Sequence, residues 1–219
     1  MGIAYNTSVV KDGLVLYLDA ANPKSYPGTG TTWYDLSGNG RHATKAGSQS
    51  PTYPLFSNGY FTFTGGVLAD NYSRFQASVP NLNAVTAFAI HYSTQAGNHV
   101  MRMSSDSFQL GPDGFCAGVS FSDIGTGGDR TATLNTWVCD ALTFNGSNLI
   151  GYRNGASVAS ATRGTPTGLA GGTLNIGTRN DAYAAHYVGR ISLVIIYDRV
   201  LSANEIQQNF IALRGRYGI

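Results

Sequence analysis

The stretch that decides the fold is residues 137–155, which reads WVCDALTFNGSNLIGYRNG. Two strand-like segments, residues 137–144 and 149–153, are separated by Asn145-Gly146, and Asn154-Gly155 follows the second. Both central residues of a type I′ turn need positive φ, which Asn-Gly tolerates, so the second pair predicts a tight hairpin. The stretch is therefore predicted to form consecutive antiparallel strands.

Segments of the same kind recur on both sides of this stretch. Apolar residues alternate in them with a period near two, and turn-forming residues separate them. They are residues 13–19, 59–63, 85–92, 99–103, 108–110, 115–121, 174–177 and 188–191. Residues 22–32 and 122–135 are polar and contain glycine, so they predict loops. The pattern predicts an all-β fold with two antiparallel sheets in a jelly-roll sandwich. Because no repeat or linker interrupts it, we expect one domain over residues 1–219.

A short α-helix is predicted at the C-terminal end. Ser202 and Glu205 have the spacing of a capping box, and Leu201 and Ile206 are placed as a hydrophobic staple. Gly215 is expected to end the helix. One apolar face is formed by Ile206, Phe210 and Leu213. Such a helix would pack against the sandwich.

Charged residues are scarce. They make up 12% of the chain, about half the usual share, and the net charge is +2. Because Lys and Arg form no cluster, we expect no nucleic-acid partner. The apolar runs are too short for membrane insertion, and residues 1–8 lack the regions of a secretion signal. A surface this poor in charge suits a rigid extracellular or virion particle.

The side chains expected of a catalytic centre are missing. Glycosidases usually need two carboxylates facing one bond. Glu205 is the only glutamate, and no two aspartates alternate on a predicted strand. Neither a Gly-x-Ser-x-Gly elbow nor a phosphate-binding loop is present. We therefore expect no enzymatic activity and no catalytic residue.

The cysteines and histidines predict no metal or cofactor site. Cys116 and Cys139 lie on predicted strands, and their spacing is compatible with two buried thiols or with a cross-strand disulfide. The four histidines have no metal-ligand spacing: His42, His91, His99 and His186. His91 is expected to be packed within a strand or at its edge.

Two polar segments have the composition of a carbohydrate-binding site. Such a site needs an aromatic ring for stacking and polar groups that orient the ligand. The six candidate residues are Asp70, Asn71, Tyr72, Asp181, Tyr183 and His186. The alternative is that both segments are ordinary solvated loops. Trp33 and Trp137 are expected in the core, because each lies beside a strand-turn pattern.

Several motifs together resemble one known family. ALTFNG at residues 141–146, YRNG at 152–155, LNIG at 174–177 and the pattern over 189–206 resemble the laminin-G-like, concanavalin A-like lectin/glucanase superfamily. The opening segments, GLVLYLDAANP at 13–23 and GTTWYDLSGNG at 30–40, resemble the version common in tailed-phage virion proteins. This resemblance implies a curved two-sheet jelly roll.

Two positions depart from the family pattern. Asn145 and Ser192 stand where relatives often carry an acidic residue. Hard cations such as calcium need several carboxylate or carbonyl oxygens. The departures argue against a calcium site of the kind that calcium-dependent relatives contain.

The expected function is that of a non-enzymatic structural protein of a phage virion. It would be a capsid decoration or tail-associated protein, oligomeric on the particle, with capsid or tail proteins as partners and host-surface glycans as a further contact. The alternative is a carbohydrate-binding or adhesion module acting alone. A glycosidase of the same fold is the third and weakest hypothesis.

Overall fold

The computed structural model describes residues 8–47, 54–65, 74–97, 99–105, 107–112, 114–117, 123–124, 132–162, 169–178 and 186–219. These residues form sixteen strands and one helix. The strands are β1 Leu14–Asp19, β2 Thr32–Trp33, β3 Ala43–Ala46, β4 Leu55–Ser57, β5 Tyr60–Thr64, β6 Arg74–Val79, β7 Val85–Ser93, β8 Met101–Met103, β9 Phe108–Gly111, β10 Gly114–Ala117, β11 Asp123–Ile124, β12 Trp137–Phe144, β13 Asn148–Arg153, β14 Ala156–Thr162, β15 Gly172–Ile176 and β16 Val188–Tyr197. The helix is α1, Ala203–Arg214.

The strands form two antiparallel sheets packed face to face. Sheet A has the order β14-β13-β12-β7-β16-β5-β4, and β1 also pairs with β16. Sheet B has the order β11-β10-β9-β8-β15-β6-β3-β2. The predicted two-sheet sandwich is therefore confirmed. The sequence pattern did not anticipate β3, β4 or β6, and β11 lies within a segment that was predicted to be a loop.

The central hairpins follow the turn chemistry of the sequence. Asn154 has φ 50° and Gly155 has φ 81°, as a type I′ turn requires. The two residues connect β13 to β14 directly. Asn145 stabilises the preceding turn, because its Oδ1 accepts hydrogen bonds from the backbone N–H groups of Ser147 and Asn148.

Strand β16 organises sheet A. Its first half pairs with β5, and its second half pairs with β1. Its register with β7 shifts between Ile191 and Leu193, which leaves Ser192 in a β-bulge. A bulge bends a strand and re-aims its side chains. Ser192 is thereby placed where it contacts the C-terminal segment.

Two apolar clusters hold the layers together. The larger one fills the space between the sheets and includes Trp33, Phe61, Phe75 and Phe144. The second lies between the outer face of sheet A and α1. Trp33 is fully buried, as expected. Trp137 is only half-buried and packs against the second cluster, so it lies at the margin of a core and not inside it.

The terminal helix has the predicted caps. Ser202 accepts a hydrogen bond from the backbone of Glu205, and the Glu205 carboxylate accepts one from the backbone of Ser202. Leu201 and Ile206 are both buried in the second cluster. The helix ends before Gly215, whose φ of −60° is right-handed. Within the described part of the chain, no helix has the length and hydrophobicity of a transmembrane span.

Residues 30–40, which carry part of the family resemblance, are held against β1 by hydrogen bonds from polar side chains. The carboxylate of Asp35 accepts hydrogen bonds from the backbone N–H groups of Tyr17, Ser37 and Arg41. Asn39 donates from its amide to the carbonyls of Leu14 and Val15. These bonds satisfy backbone groups along β1. The polar residues of this motif therefore have a structural explanation.

Candidate functional site

Five of the six predicted carbohydrate-binding residues lie outside the described residues: Asp70, Asn71, Tyr72, Asp181 and Tyr183. His186 is described and is only 7% exposed. Its Nδ1 lies 2.8 Å from Thr178 Oγ1. Burial, helped by the nearby charge of Arg74, lowers the pKa of His186. The prediction that these residues bind sugar stays a prediction.

The described flanks of both predicted segments meet on sheet B. Phe75 of β6 pairs with Ile176 of β15, and the bridge between Thr178 and His186 continues from the end of β15. The described residues Phe75, Ile176, Thr178 and His186 therefore lie close to one another on this sheet. The residue pattern did not predict this proximity, because it results from the pairing of strands that are distant in sequence.

A polar row crosses the outer face of sheet B beside these flanks. Strand register places Gln76, Asn175, Arg102 and Gln109 directly opposite one another. The side-chain amides of Gln76 and Asn175 are hydrogen-bonded at 2.9 Å. Asn175 and Arg102 are buried, with exposures of 1% and 3%. Because these side chains are buried, the polar row serves the structure of sheet B and offers little surface to a ligand.

A second polar cluster lies at the inner face of sheet A. His91 Nε2 is 3.2 Å from Asp140 Oδ2, and His91 Nδ1 is 3.0 Å from Ser93 Oγ. Arg153 donates to both oxygens of Asp140 at 2.9 Å, and the Tyr187 hydroxyl lies 2.9 Å from Ser93 Oγ. Ser93, His91 and Asp140 each have 0% exposure. His91 is thus packed within its strand, which is one of the two alternatives predicted from the sequence.

A third group of side chains, which is partly accessible, lies on the outer face of sheet A. Here five half-buried side chains come together, which we call the aromatic platform: Tyr60, Tyr92, Trp137, Arg190 and Tyr217. Strand register produces most of it. Trp137 of β12 is directly opposite Tyr92 of β7, which is directly opposite Arg190 of β16. Tyr60 comes from β5, and Tyr217 from the segment after α1.

Trp137 is the centre of the aromatic platform. Its ring centroid lies 5.6 Å from that of Tyr60, 5.8 Å from that of Tyr92 and 5.2 Å from that of Tyr217. The ring planes are inclined to one another by 46° to 64°. Inclined aromatic pairs at these separations are favourable. The rings thus form a preorganised surface, which lowers the ordering cost of binding.

The bulge in β16 fixes one side of the aromatic platform. Ser192 Oγ donates to the carbonyl of Gly59 at 2.5 Å, so the Tyr217 hydroxyl is the donor in its 2.7 Å bond to Ser192 Oγ. Burial raises the pKa of Tyr217 to about 12, which keeps this hydroxyl protonated at neutral pH. Next to it, Arg216 pairs with the buried carboxylate of Asp19 at 2.7 Å.

Sequence reasoning missed this surface for a specific reason. Trp137 was expected in the core because it begins a strand beside a turn pattern. It points instead to the outer face of sheet A, in the same cluster as Cys139 and Ala141. No pattern within one segment brings together residues of four strands and the C-terminal segment.

The described residues also bear on metal binding and on the two cysteines. Within the described residues no group of three or more potential metal ligands is found. Cys139 is a buried free thiol, and burial raises its pKa. The side chain of Cys116 lies outside the described residues.

Comparison with known proteins identifies the family. Residues 81–207 match the model of the concanavalin A-like lectin/glucanases superfamily. No curated protein has significant sequence similarity to this chain.

Solved structures agree with the fold. The botulinum neurotoxin DC binding domain in complex with rat synaptotagmin II has a TM-score of 0.62 and 15% identity, over 93% of this chain and 52% of that one. The same domain in complex with SialylT has a TM-score of 0.61, 14% identity and the same coverage. Trypanosoma rangeli sialidase has a TM-score of 0.64 and 14% identity, over 93% of this chain and 33% of that one. This chain thus spans one third to one half of these proteins, and the similarity demonstrates the shared fold alone. Because the family model covers more than half of the chain, this protein belongs to the concanavalin A-like lectin/glucanases superfamily.

Proposed function

We propose that this protein is a non-catalytic, lectin-like module that binds glycans through the aromatic platform. One observation carries the proposal: Trp137 is half-buried at the centre of three tyrosine rings, so part of its surface stays accessible within an aromatic cluster. Aromatic faces stack on the apolar faces of sugar rings, and the hydroxyls of Tyr60 and Tyr92 supply polar contacts together with Arg190. Membership in a superfamily that includes lectins is consistent with this role.

Two observations support the absence of catalysis. Ser93, His91 and Asp140 resemble a hydrolase triad in composition, but each has 0% exposure, so a substrate could not reach the serine. Glu205 caps α1 and pairs with Arg199 at 2.6 Å, so the single glutamate has a structural role. We expect no release of reducing sugar from a panel of polysaccharides. Measurable release would contradict this part of the proposal.

The binding role is tested with a glycan array followed by titration calorimetry on the best glycan. Trp137→Ala should weaken binding at least about tenfold, because buried aromatic contacts carry most of the energy of such interfaces. Tyr92→Ser should also weaken binding. Tyr34→Ser is the matched control, because Tyr34 is 42% exposed and its ring meets that of His42 edge to face, outside the aromatic platform.

Thermal unfolding of each variant separates lost binding from lost folding. An array without hits would contradict glycan binding. Binding that is equal in the wild type and in a folded Trp137→Ala variant would remove the aromatic platform from the proposal.

The setting that we propose for this module is the exterior of a tailed-phage particle, on the capsid or tail. The resemblance of segments 13–23 and 30–40 to phage virion proteins supports it, together with the 12% charged residues. The expected result is co-purification with intact particles at a fixed stoichiometry, visible by electron microscopy. Particles that lack the protein would contradict the setting without affecting the glycan-binding proposal.

A further inference from the structure

Arg190 is the cationic residue of the aromatic platform, and two rings fix its position. The centre of its guanidinium lies 5.0 Å from the ring centroid of Tyr60 and 5.0 Å from that of Tyr92. Contacts of this kind use the face of the aromatic ring and are attractive. These ring contacts leave the N–H groups at the edge of the guanidinium available as hydrogen-bond donors.

The charge of Arg190 is not neutralised within the described residues. Arg216, which lies over the ring of Tyr217, is paired with Asp19 at 2.7 Å. Two arginines elsewhere also have carboxylate partners, Arg153 with Asp140 and Arg199 with Glu205. No ion pair or side-chain hydrogen bond of Arg190 is found in the part of the chain that the structure describes. Among the described residues, Arg190 therefore adds a positive charge to the aromatic platform without a carboxylate partner.

A half-buried guanidinium that has no carboxylate partner among the described residues can bind an anionic ligand. Burying a charge costs free energy unless the charge is paired. The planar fork of arginine matches a carboxylate, with two parallel N–H···O bonds. The rings of Tyr60 and Tyr92 contact both Arg190 and Trp137, so a ligand could meet a stacking ring and an unpaired cation together.

We propose that the aromatic platform recognises a carboxylated sugar, with the sugar ring on Trp137 and its carboxylate on Arg190. This inference rests on the proposed glycan-binding function. It adds the chemical class of the ligand, which is a hexuronic or sialic acid residue. The tyrosine rings would position Arg190, and Arg190 would distinguish the acid from its neutral counterpart.

The test compares an acidic ligand with its neutral ester by titration calorimetry: oligogalacturonate and its fully methyl-esterified form. Sialyllactose and the methyl ester of its sialic acid form a second pair. We expect at least about tenfold tighter binding of the acidic member, with an affinity that falls as salt is added. Arg190→Gln should lower the affinity for the acidic ligand to that for the neutral one, and it should remove the salt dependence of binding.

Two further variants serve as controls. Arg190→Lys keeps the charge but loses the planar fork, so it should recover only part of the preference. Arg214→Gln should change nothing, because Arg214 also lies over an aromatic ring, that of Phe210 at 5.8 Å, but on the exposed surface of α1.

The outcomes separate the two proposals. Equal binding of the acidic and neutral members would overturn the inference and leave glycan binding intact. Tighter binding of a sulfated than of a carboxylated glycan would overturn the assignment to a carboxylate. An absence of binding to every glycan, acidic or neutral, would overturn both proposals.

Discussion

At the scale of single residues, the buried carboxylate of Asp140 requires several hydrogen-bond partners within the fold. It has 0% exposure and accepts two hydrogen bonds from Arg153. His91 is bonded to the same carboxylate, and Arg153 also donates to the carbonyl of Pro112. A buried charge is tolerated only when it is paired and hydrogen-bonded. Asp140 thus couples β7, β12 and β13 at the inner face of sheet A.

Removing the Asp140 carboxylate should destabilise the protein strongly. Asp140→Ala leaves the guanidinium of Arg153 without its partner, and breaking a buried pair in this way costs about 3–5 kcal/mol. Urea unfolding measures the loss. Asp12→Ala is the control, because Asp12 also pairs with an arginine but its side chain is 85% exposed, so we expect a loss of about 1 kcal/mol or less. Equal losses in the two variants would show that Asp140 does not couple the strands.

At the scale of elements, α1 depends on polar groups at its first turn. Glu205 accepts hydrogen bonds from Ser202 and from Arg199, at 2.8 Å and 2.6 Å. The bond from Arg199, followed by the backbone bond from Ser202, lowers the pKa of Glu205 from 4.5 to about 2. The helix is thereby joined to the end of β16, and its apolar face covers the outer face of sheet A.

The capping carboxylate should give α1 a pH-dependent stability. Because the folded state lowers the pKa of Glu205, its contribution is complete above the ordinary value of 4.5 and is lost as pH falls towards about 2. Glu205→Gln should lower the free energy of unfolding by about 1 kcal/mol at neutral pH. The difference from the wild type should shrink over that acidic range. Urea unfolding at several pH values measures it, and a constant difference would contradict the assignment.

At the scale of the whole molecule, close contact between the sheets requires a glycine. Gly151 of β13 lies against the ring of Phe115 of β10, and an added Cβ would collide with that ring. Phe115 has 0% exposure and belongs to the cluster between the sheets. The missing side chain thus lets a large ring from sheet B approach the backbone of sheet A.

Gly151→Ala should separate the sheets locally. Overpacking of a filled core typically costs about 1–3 kcal/mol, and thermal unfolding measures the loss. Gly215→Ala is the matched control, because no atom lies within 4 Å of the added Cβ and its φ of −60° suits alanine. The control should keep or raise the wild-type stability. A Gly151→Ala variant as stable as the control would mean that Phe115 can move away freely.

Local signals in the sequence predicted much of the architecture. The Asn154-Gly155 turn, the alternation along β12 and the capping box of α1 each depend on residues close in the chain, so their geometry follows from local sterics and hydrogen bonding. Short strands such as β3 and β4 escaped prediction, because three or four residues hold too little periodicity.

The sequence by itself determined the class of fold, the turns and the terminal helix, because backbone φ preferences and capping act within a few residues. Only the tertiary structure decided which side chains share a surface. The aromatic platform needs the pairing of β5, β7, β12 and β16, the bulge at Ser192 and the return of Tyr217. Strand pairing joins positions that are far apart in the chain, and a register shift by one residue turns each side chain to the opposite face. For that physical reason Trp137 was expected in the core and lies instead on the outer face of sheet A.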